Sequence, residues 1–387
     1  MVSPEQMREH FMLDPEVIFL NHGSFGATPR VVFETYQNWQ RQLEHQPVKF
    51  LGREVSNYLK EAREALGTYL NVPANDLIYV PNATFGVNIV ARSLNLKEGD
   101  EVLTCDQEYG ACNNAWTFLS QKKGFSYLKA ALPTPVESNE AIIEALWEKV
   151  NERTKVIYLS HITSPTALIL PIKEICHRAR REGILTLIDG AHAPGQLELD
   201  LSDIAPDFYT GNCHKWLCSP KGAGFLYSRN DCQDLIEPLV VSWGWTREPR
   251  HSAGSIYLDN FNWTGTNDPA GYLSVPSAIA FQAEHDWQSH RQACHKRLSE
   301  TLEAIEQLTG QKTFYPIGSS FYRQLAIAAL PDLDDPETFK NVLYDKYRIE
   351  IPVTQHLGRN YVRISVQAYT SSSDLEALVN ALAELLA

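Results

Sequence analysis

The chain has 387 residues, 44% of them hydrophobic and 21% charged, proportions of a globular protein long enough for two domains around a large core. A formal net charge of -13 argues against nucleic acid or an anionic membrane as partner. Seven cysteines without metal-ligand spacing point to reduced thiols, a cytoplasmic setting and no metal centre, and no run resembles a signal core or a membrane span.

In chain order, a helix is expected from Pro29 with Thr28 as its N-cap, and a second over Glu54 to Leu70. Leu77 to Pro81 reads as a strand. Asn82-Ala83-Thr84-Phe85-Gly86 then turns into a helix whose Val87, Val90, Ala91 and Leu94 share one face. Free N–H groups and the helix dipole make such a start a place for an anion, although Asn82 or Thr84 serving only as a cap explains it equally well. Strand-like runs at Glu101 to Thr104, Lys155 to Ser160 and Ile184 to Ile188 alternate with helical stretches at Ala111 to Lys122, Glu140 to Val150 and Lys173 to Arg181. That alternation predicts a mostly parallel, helix-covered sheet. Asp268 to Leu308 reads as one long helix. Tyr322 to Ala328, Arg348 to Pro352 and Tyr361 to Val366 read as strands, and Asp374 to Leu386 as an amphipathic helix. The expected division is an N-terminal segment (1–28) contributing to a substrate cleft, a large domain (29–267) and a small C-terminal α+β domain (268–387).

Lys215, in Gly211-Asn212-Cys213-His214-Lys215-Trp216, is crowded by aromatic and small apolar neighbours. Desolvation there favours the neutral amine, a nucleophile able to form a Schiff base. Asp189 ends the apolar run Ile184 to Ile188, just before Gly190. Ligands sit at the carboxyl ends of strands in open α/β sheets; the plain alternative is an Asp-Gly turn. A Schiff-base lysine with a strand-end carboxylate fits pyridoxal 5'-phosphate (PLP), whose ring nitrogen a carboxylate keeps protonated.

The order of these pieces resembles the class V aminotransferases, fold-type I PLP enzymes with the aspartate aminotransferase fold. Asn21-His22-Gly23-Ser24-Phe25-Gly26, Asp106-Gln107-Glu108-Tyr109, Ser160-His161-Ile162-Thr163-Ser164-Pro165-Thr166 and the Lys215 segment are most similar to the isopenicillin-N epimerase-like branch. The resemblance implies that Lys215 holds the cofactor and is the base for the Cα proton. It implies that Asp189 meets the ring nitrogen, His192 orients Asp189 or the ring oxygen edge, and Tyr109 stacks on the ring. Ala83, Thr84 and His214 are then phosphate ligands, with Asn212 where relatives often carry serine. Ser164 stands where many relatives place asparagine beside the cofactor oxygen. Thr266, after Gly265, matches a residue that reaches the neighbouring subunit's phosphate, which implies a homodimer. Arg363 takes the substrate carboxylate by two parallel hydrogen bonds. Asn21, His22 and His356 are further cleft candidates.

A desulfurase of this family carries a reactive cysteine on a small-domain loop before that arginine, because a thiolate is the attacking species. Gly318 to Asn360 contains no cysteine, which disfavours desulfuration through a persulfide. Epimerisation at Cα, β-elimination as a carbon–sulfur lyase, and transamination share all the residues above, and epimerisation is the leading expectation. A PLP-binding sensor without catalysis is the alternative outside enzymology; retention of both Lys215 and Arg363 argues against it.

Overall fold

The computed structural model describes residues 2–246 and 252–387. Its N-terminal segment holds strand β1 (Ile18–Phe19). The large sheet follows with β2 (Leu77–Val80), β3 (Glu101–Cys105), β4 (Ser126–Ala130), β5 (Thr154–Ser160), β6 (Leu185–Gly190), β7 (Phe208–Asn212) and β8 (Gly224–Ser228). These lie in the order β2-β8-β7-β6-β5-β3-β4. Only β8 runs against the rest, paired antiparallel with β2 and β7; the other pairings are parallel. The central strands are buried along almost their whole length, as continuous apolar runs covered on both faces require.

Parallel register sets the site. Ser160 lies beside Asp189, and Asp189 beside Thr210, so the carboxyl ends of β5, β6 and β7 form one edge. The antiparallel β2 contact places Val80 against Gly224, bringing the Asn82 turn to the same edge. The helix Ala83–Ser93 lies close on the sheet at Gly86, where a Cβ would stand 2.2 Å from Thr210 Oγ1; only glycine permits that approach.

Towards the C-terminus lie β9 (Leu325–Leu330), β10 (Ile349–Glu350), β11 (Val353–His356) and β12 (Arg359–Ser365). β11, β12 and β9 form an antiparallel sheet. β10 pairs instead with β1 in parallel, Phe19 beside Glu350, which ties the N-terminal segment to this part of the chain. One hydrophobic core runs from Met7 to Leu382 through both regions. Among the described residues no helix is long and apolar enough to cross a membrane.

Three expectations about elements need correction. The helix after Thr28 spans Arg30–His45 with Pro29 at its cap position; the Thr28 hydroxyl donates instead to the Ser219 carbonyl at 3.2 Å. The expected long helix from Asp268 is three helices, Ala270–Leu273, Val275–Glu284 and Trp287–Thr309. It breaks where Asp286 adopts a left-handed backbone and its side chain caps the next helix at Ser289 N, a role aspartate fills well. The strand expected from Tyr322 starts at Leu325.

Candidate active site

Lys215 lies in the turn between β7 and β8, held by Cys218 N to Lys215 O (3.0 Å) and Cys213 N to Ala223 O (3.0 Å). Its amine Nζ is 3.2 Å from His192 Nε2. Burial, and then the nearby Arg363 charge, lower its pKa to about 8, against the opposing pull of Asp189. The hydrogen bonds assign the tautomer. The Trp216 indole N–H donates to His192 Nδ1 at 3.3 Å, and an indole can only donate. Burial holds the His192 pKa well below its ordinary value, so the ring is neutral. Its proton therefore sits on Nε2, facing the Lys215 nitrogen, and a hydrogen bond there needs the lone pair that the amine gains above its pKa of about 8.

Asp189 is buried. One oxygen, Oδ1, accepts from Ala191 N at 2.9 Å, while Oδ2 has only the long contacts of Tyr158 OH (3.5 Å) and Cys112 Sγ (3.6 Å). Burial raises its pKa, partly offset by the Ala191 N–H and Lys215. No hydrogen bond joins His192 to Asp189; His192 faces Lys215 and Trp216 instead. A second acid, Glu108, which no local motif marks as a site residue, accepts from Ser160 N (2.8 Å) and Oγ (2.6 Å). Burial raises it to about 7, helped by Asp189. It pins Tyr109, the next residue, to the end of β5. Tyr109 itself is half-exposed and within electrostatic range of Arg363.

At the other end of the edge, Asn82 Oδ1 caps the helix at Phe85 N (2.9 Å). Asn212 Oδ1 takes the Ala83 N–H at 2.8 Å, so Ala83 does not offer its N–H freely and Asn212 completes the helix start. The Thr84 hydroxyl bonds to no described residue, and Thr84 lines an open cavity of about 410 Å³ with Asn82, Phe85, Asn88, Arg92 and Leu239. His214 Nδ1 donates to the Ala223 carbonyl at 2.9 Å, and burial lowers its pKa to about 4. Its Nε2 then bears a lone pair, so a phosphate oxygen meeting it must bring the proton.

Arg363, on β12, is buried. Nη1 donates to the Ser164 carbonyl (2.7 Å) and lies 3.3 Å from its hydroxyl; Nη2 donates to Ser24 Oγ at 3.1 Å. Its Nε–H has no acceptor among the described residues, and no described acid forms an ion pair with it. Burial lowers its pKa to about 10. An uncompensated buried cation is costly, and that cost marks a place for an anion. Ser164 thus lies against Arg363.

The N-terminal residues are not cleft-lining in the way expected. His22 is fully buried, with Nδ1 2.8 Å from Tyr369 OH and Nε2 3.0 Å from Lys215 O. Asn21 reaches Glu350 and Ser24. His356 packs edge-on against Phe314. Thr266 is exposed on the loop before Pro269 and touches none of this chain's site residues. All seven cysteines are buried and free.

These residues fit PLP: a buried amine whose pKa is lowered to about 8, a buried carboxylate at a strand end, a helix start with an unused hydroxyl, and an uncompensated arginine. A family model described as Aminotransferase class-V matches residues 18–378. Isopenicillin N epimerase of Amycolatopsis lactamdurans is 34% identical over 388 residues, covering 98% of this chain and 97% of the relative. Putative L-cysteine desulfhydrase 1 of Oryza sativa subsp. japonica is 27% identical over 429 residues, covering 100% and 87%. The solved complex of the cystine C–S lyase C-DES with its reaction product cysteine persulfide has the same fold, with a TM-score of 0.83 at 24% identity over 96% of this chain and 98% of that one. The chain belongs to the class V aminotransferase family of PLP-dependent enzymes.

Proposed function

We propose that this enzyme acts at Cα of an amino acid in the manner of an isopenicillin-N epimerase, removing and returning the Cα proton. The observation that carries the reading is that Asp189 and the uncompensated Arg363 both lie within electrostatic range of Lys215. When bound, PLP supplies an electron sink for a carbanion at Cα. The chain's residues do the rest. Lys215 holds the cofactor and then moves the Cα proton at Nζ. The Asp189 carboxylate would keep the ring nitrogen protonated, and His192, whose Nε2–H faces Lys215, would lie beside the bound cofactor. Thr84, Asn212, His214 and the helix start at Ala83 hold the phosphate. Arg363, set by Ser164, takes the substrate carboxylate. Tyr109, half-exposed within electrostatic range of Arg363 and with no hydrogen bond from its hydroxyl to a described residue, is the proposed acid for the second face. Asn21 and His22 act from behind the cleft, through Ser24 and the Lys215 carbonyl.

Thr266 stands exposed, and Val240, Val241 and Trp245 are exposed apolar residues earlier in the same stretch. This supports a homodimer in which Thr266 completes the partner's phosphate site. Persulfide-forming desulfuration lacks a thiolate: burial raises every one of the seven cysteine pKa values. β-Elimination remains the second reading, favoured by the sequence likeness to an L-cysteine desulfhydrase and by needing only one proton carrier. Incubation with amino acids and cysteine conjugates in deuterated buffer separates the two. Cα deuteration with loss of optical purity supports epimerisation; pyruvate and ammonia release supports elimination; exchange with retained configuration rejects epimerisation.

A further inference from the structure

The N-terminal segment carries a directed chain of hydrogen bonds that ends on Arg363. Arg363 Nη2 donates to Ser24 Oγ at 3.1 Å. The Ser24 hydroxyl spends its one proton on Asn21 Oδ1 at 2.5 Å. The Asn21 amide is fixed in turn, because its Nδ2 donates to Glu350 Oε1 at 3.0 Å. Ser24 therefore shows Arg363 only lone pairs. Among the described residues, every oxygen that accepts from the guanidinium, from Ser24 and Ser164, is neutral. Such partners fix the plane of the fork without cancelling its charge, whereas an acid at either place would occupy the arginine before a substrate arrived. The amide of Asn21 stands between Ser24 and the Glu350 carboxylate.

The same short segment is locked to the reactive lysine. His22 Nε2 lies 3.0 Å from Lys215 O. At Gly26, where φ is 72°, a Cβ would stand 2.0 Å from the His214 carbonyl, so no other residue fits there. Gly23 N donates to Ser365 Oγ, two residues beyond Arg363, at 3.0 Å.

We propose that Ser24 is a positioning residue for substrate carboxylate recognition, holding Arg363 in register with Lys215, and that Asn21 sets the direction of its hydroxyl. The proposal rests on the reading of Arg363 as the carboxylate site. It makes the N-terminal segment a determinant of specificity for free α-carboxylates.

The test uses the PLP-loaded enzyme and two probes: 2-aminoisobutyrate, which has no Cα proton to lose, and isopropylamine, which lacks the carboxylate. Affinity is read from the shift of the cofactor's visible band. Ser24→Ala should weaken 2-aminoisobutyrate roughly 10- to 100-fold, the worth of a hydrogen bond to a charged group, and leave isopropylamine unchanged. Ser24→Thr, which keeps the hydroxyl, should stay close to wild type, and Asn21→Ala should shift in the same direction as Ser24→Ala. Equal loss of both probes in Ser24→Ala, or no loss of either, overturns the proposal. Arg363→Met keeps the two failures apart. If it abolishes the preference for the carboxylate while Ser24→Ala does not disturb it, Ser24 is refuted and Arg363 stands. If Arg363→Met also leaves the preference intact, the carboxylate site itself is wrong.

Discussion

Replacing Lys215 by methionine removes a buried charge while keeping most of the side-chain volume. In the cofactor-free protein the amine titrates at about 8 in place of 10.5, with burial as the main cause and Arg363 next. Each pKa unit corresponds to about 1.4 kcal/mol, so keeping the ammonium in the fold at neutral pH costs roughly 3 kcal/mol. The sign follows from proton linkage. Between those two values the unfolded chain holds the proton and the folded one does not, so stability rises with pH across that window. Below pH 8 the penalty is fully present. Lys215→Met should therefore melt higher than wild type at pH 7, by about 4 °C for a chain of this length, and the advantage should shrink as the pH rises from 8 towards 10. Thermal melts of the cofactor-free proteins measure this, and competitive acetylation of Lys215 read by mass spectrometry gives the midpoint directly. A methionine variant that melts at or below wild type at pH 7, together with an acetylation midpoint near that of surface lysines, refutes the lowered pKa of the buried amine.

Other substitutions probe the surroundings of that amine. Trp216→Phe leaves the buried His192 Nδ1 without its donor, which should cost about 1–3 kcal/mol and, in nitrogen-15 spectra, replace the single Nε2–H form of His192 by a mixture of tautomers. Asp189→Asn removes the charge that does most to hold the Lys215 pKa up, so the acetylation midpoint should fall below about 8; an upward move contradicts the assignment. Asn212→Ala strips the Ala83 N–H of its acceptor, which should cost about 1 kcal/mol and weaken PLP binding in a fluorescence titration. Unchanged affinity would show that Asn212 plays no part at the phosphate end.

What the sequence disclosed was local. Lys215 among aromatic neighbours, Asp189 at the end of an apolar run and Asn82 before an amphipathic helix each carry their signal within ten residues. Parallel register then brings these pieces to one edge, which the alternation of strands and helices foretold. The partners of Arg363 were not legible, because Ser24 and Ser164 lie 339 and 199 residues away and leave no local pattern. His22 misled for a similar reason: its motif faces the site's backbone, and only the fold shows that Tyr369, Gln367 and Lys215 O enclose it. The edge strand β4 was missed because its first residues are partly exposed and polar, so no apolar run marks it. The break at Asp286 did carry a sign, an N-cap aspartate three residues before Ser289, hidden by helix-favouring neighbours.

Proton transfer at Cα through Lys215 is the step on which the proposed function depends. Its most direct test is deuterium incorporation at Cα, with chiral analysis, for a panel of amino acids offered to PLP-reconstituted wild type and Lys215→Ala in deuterated buffer. The account predicts deuterium uptake with loss of optical purity in wild type and none in the variant. No uptake by wild type that shows a lysine-bound cofactor band, or equal uptake by Lys215→Ala, contradicts it.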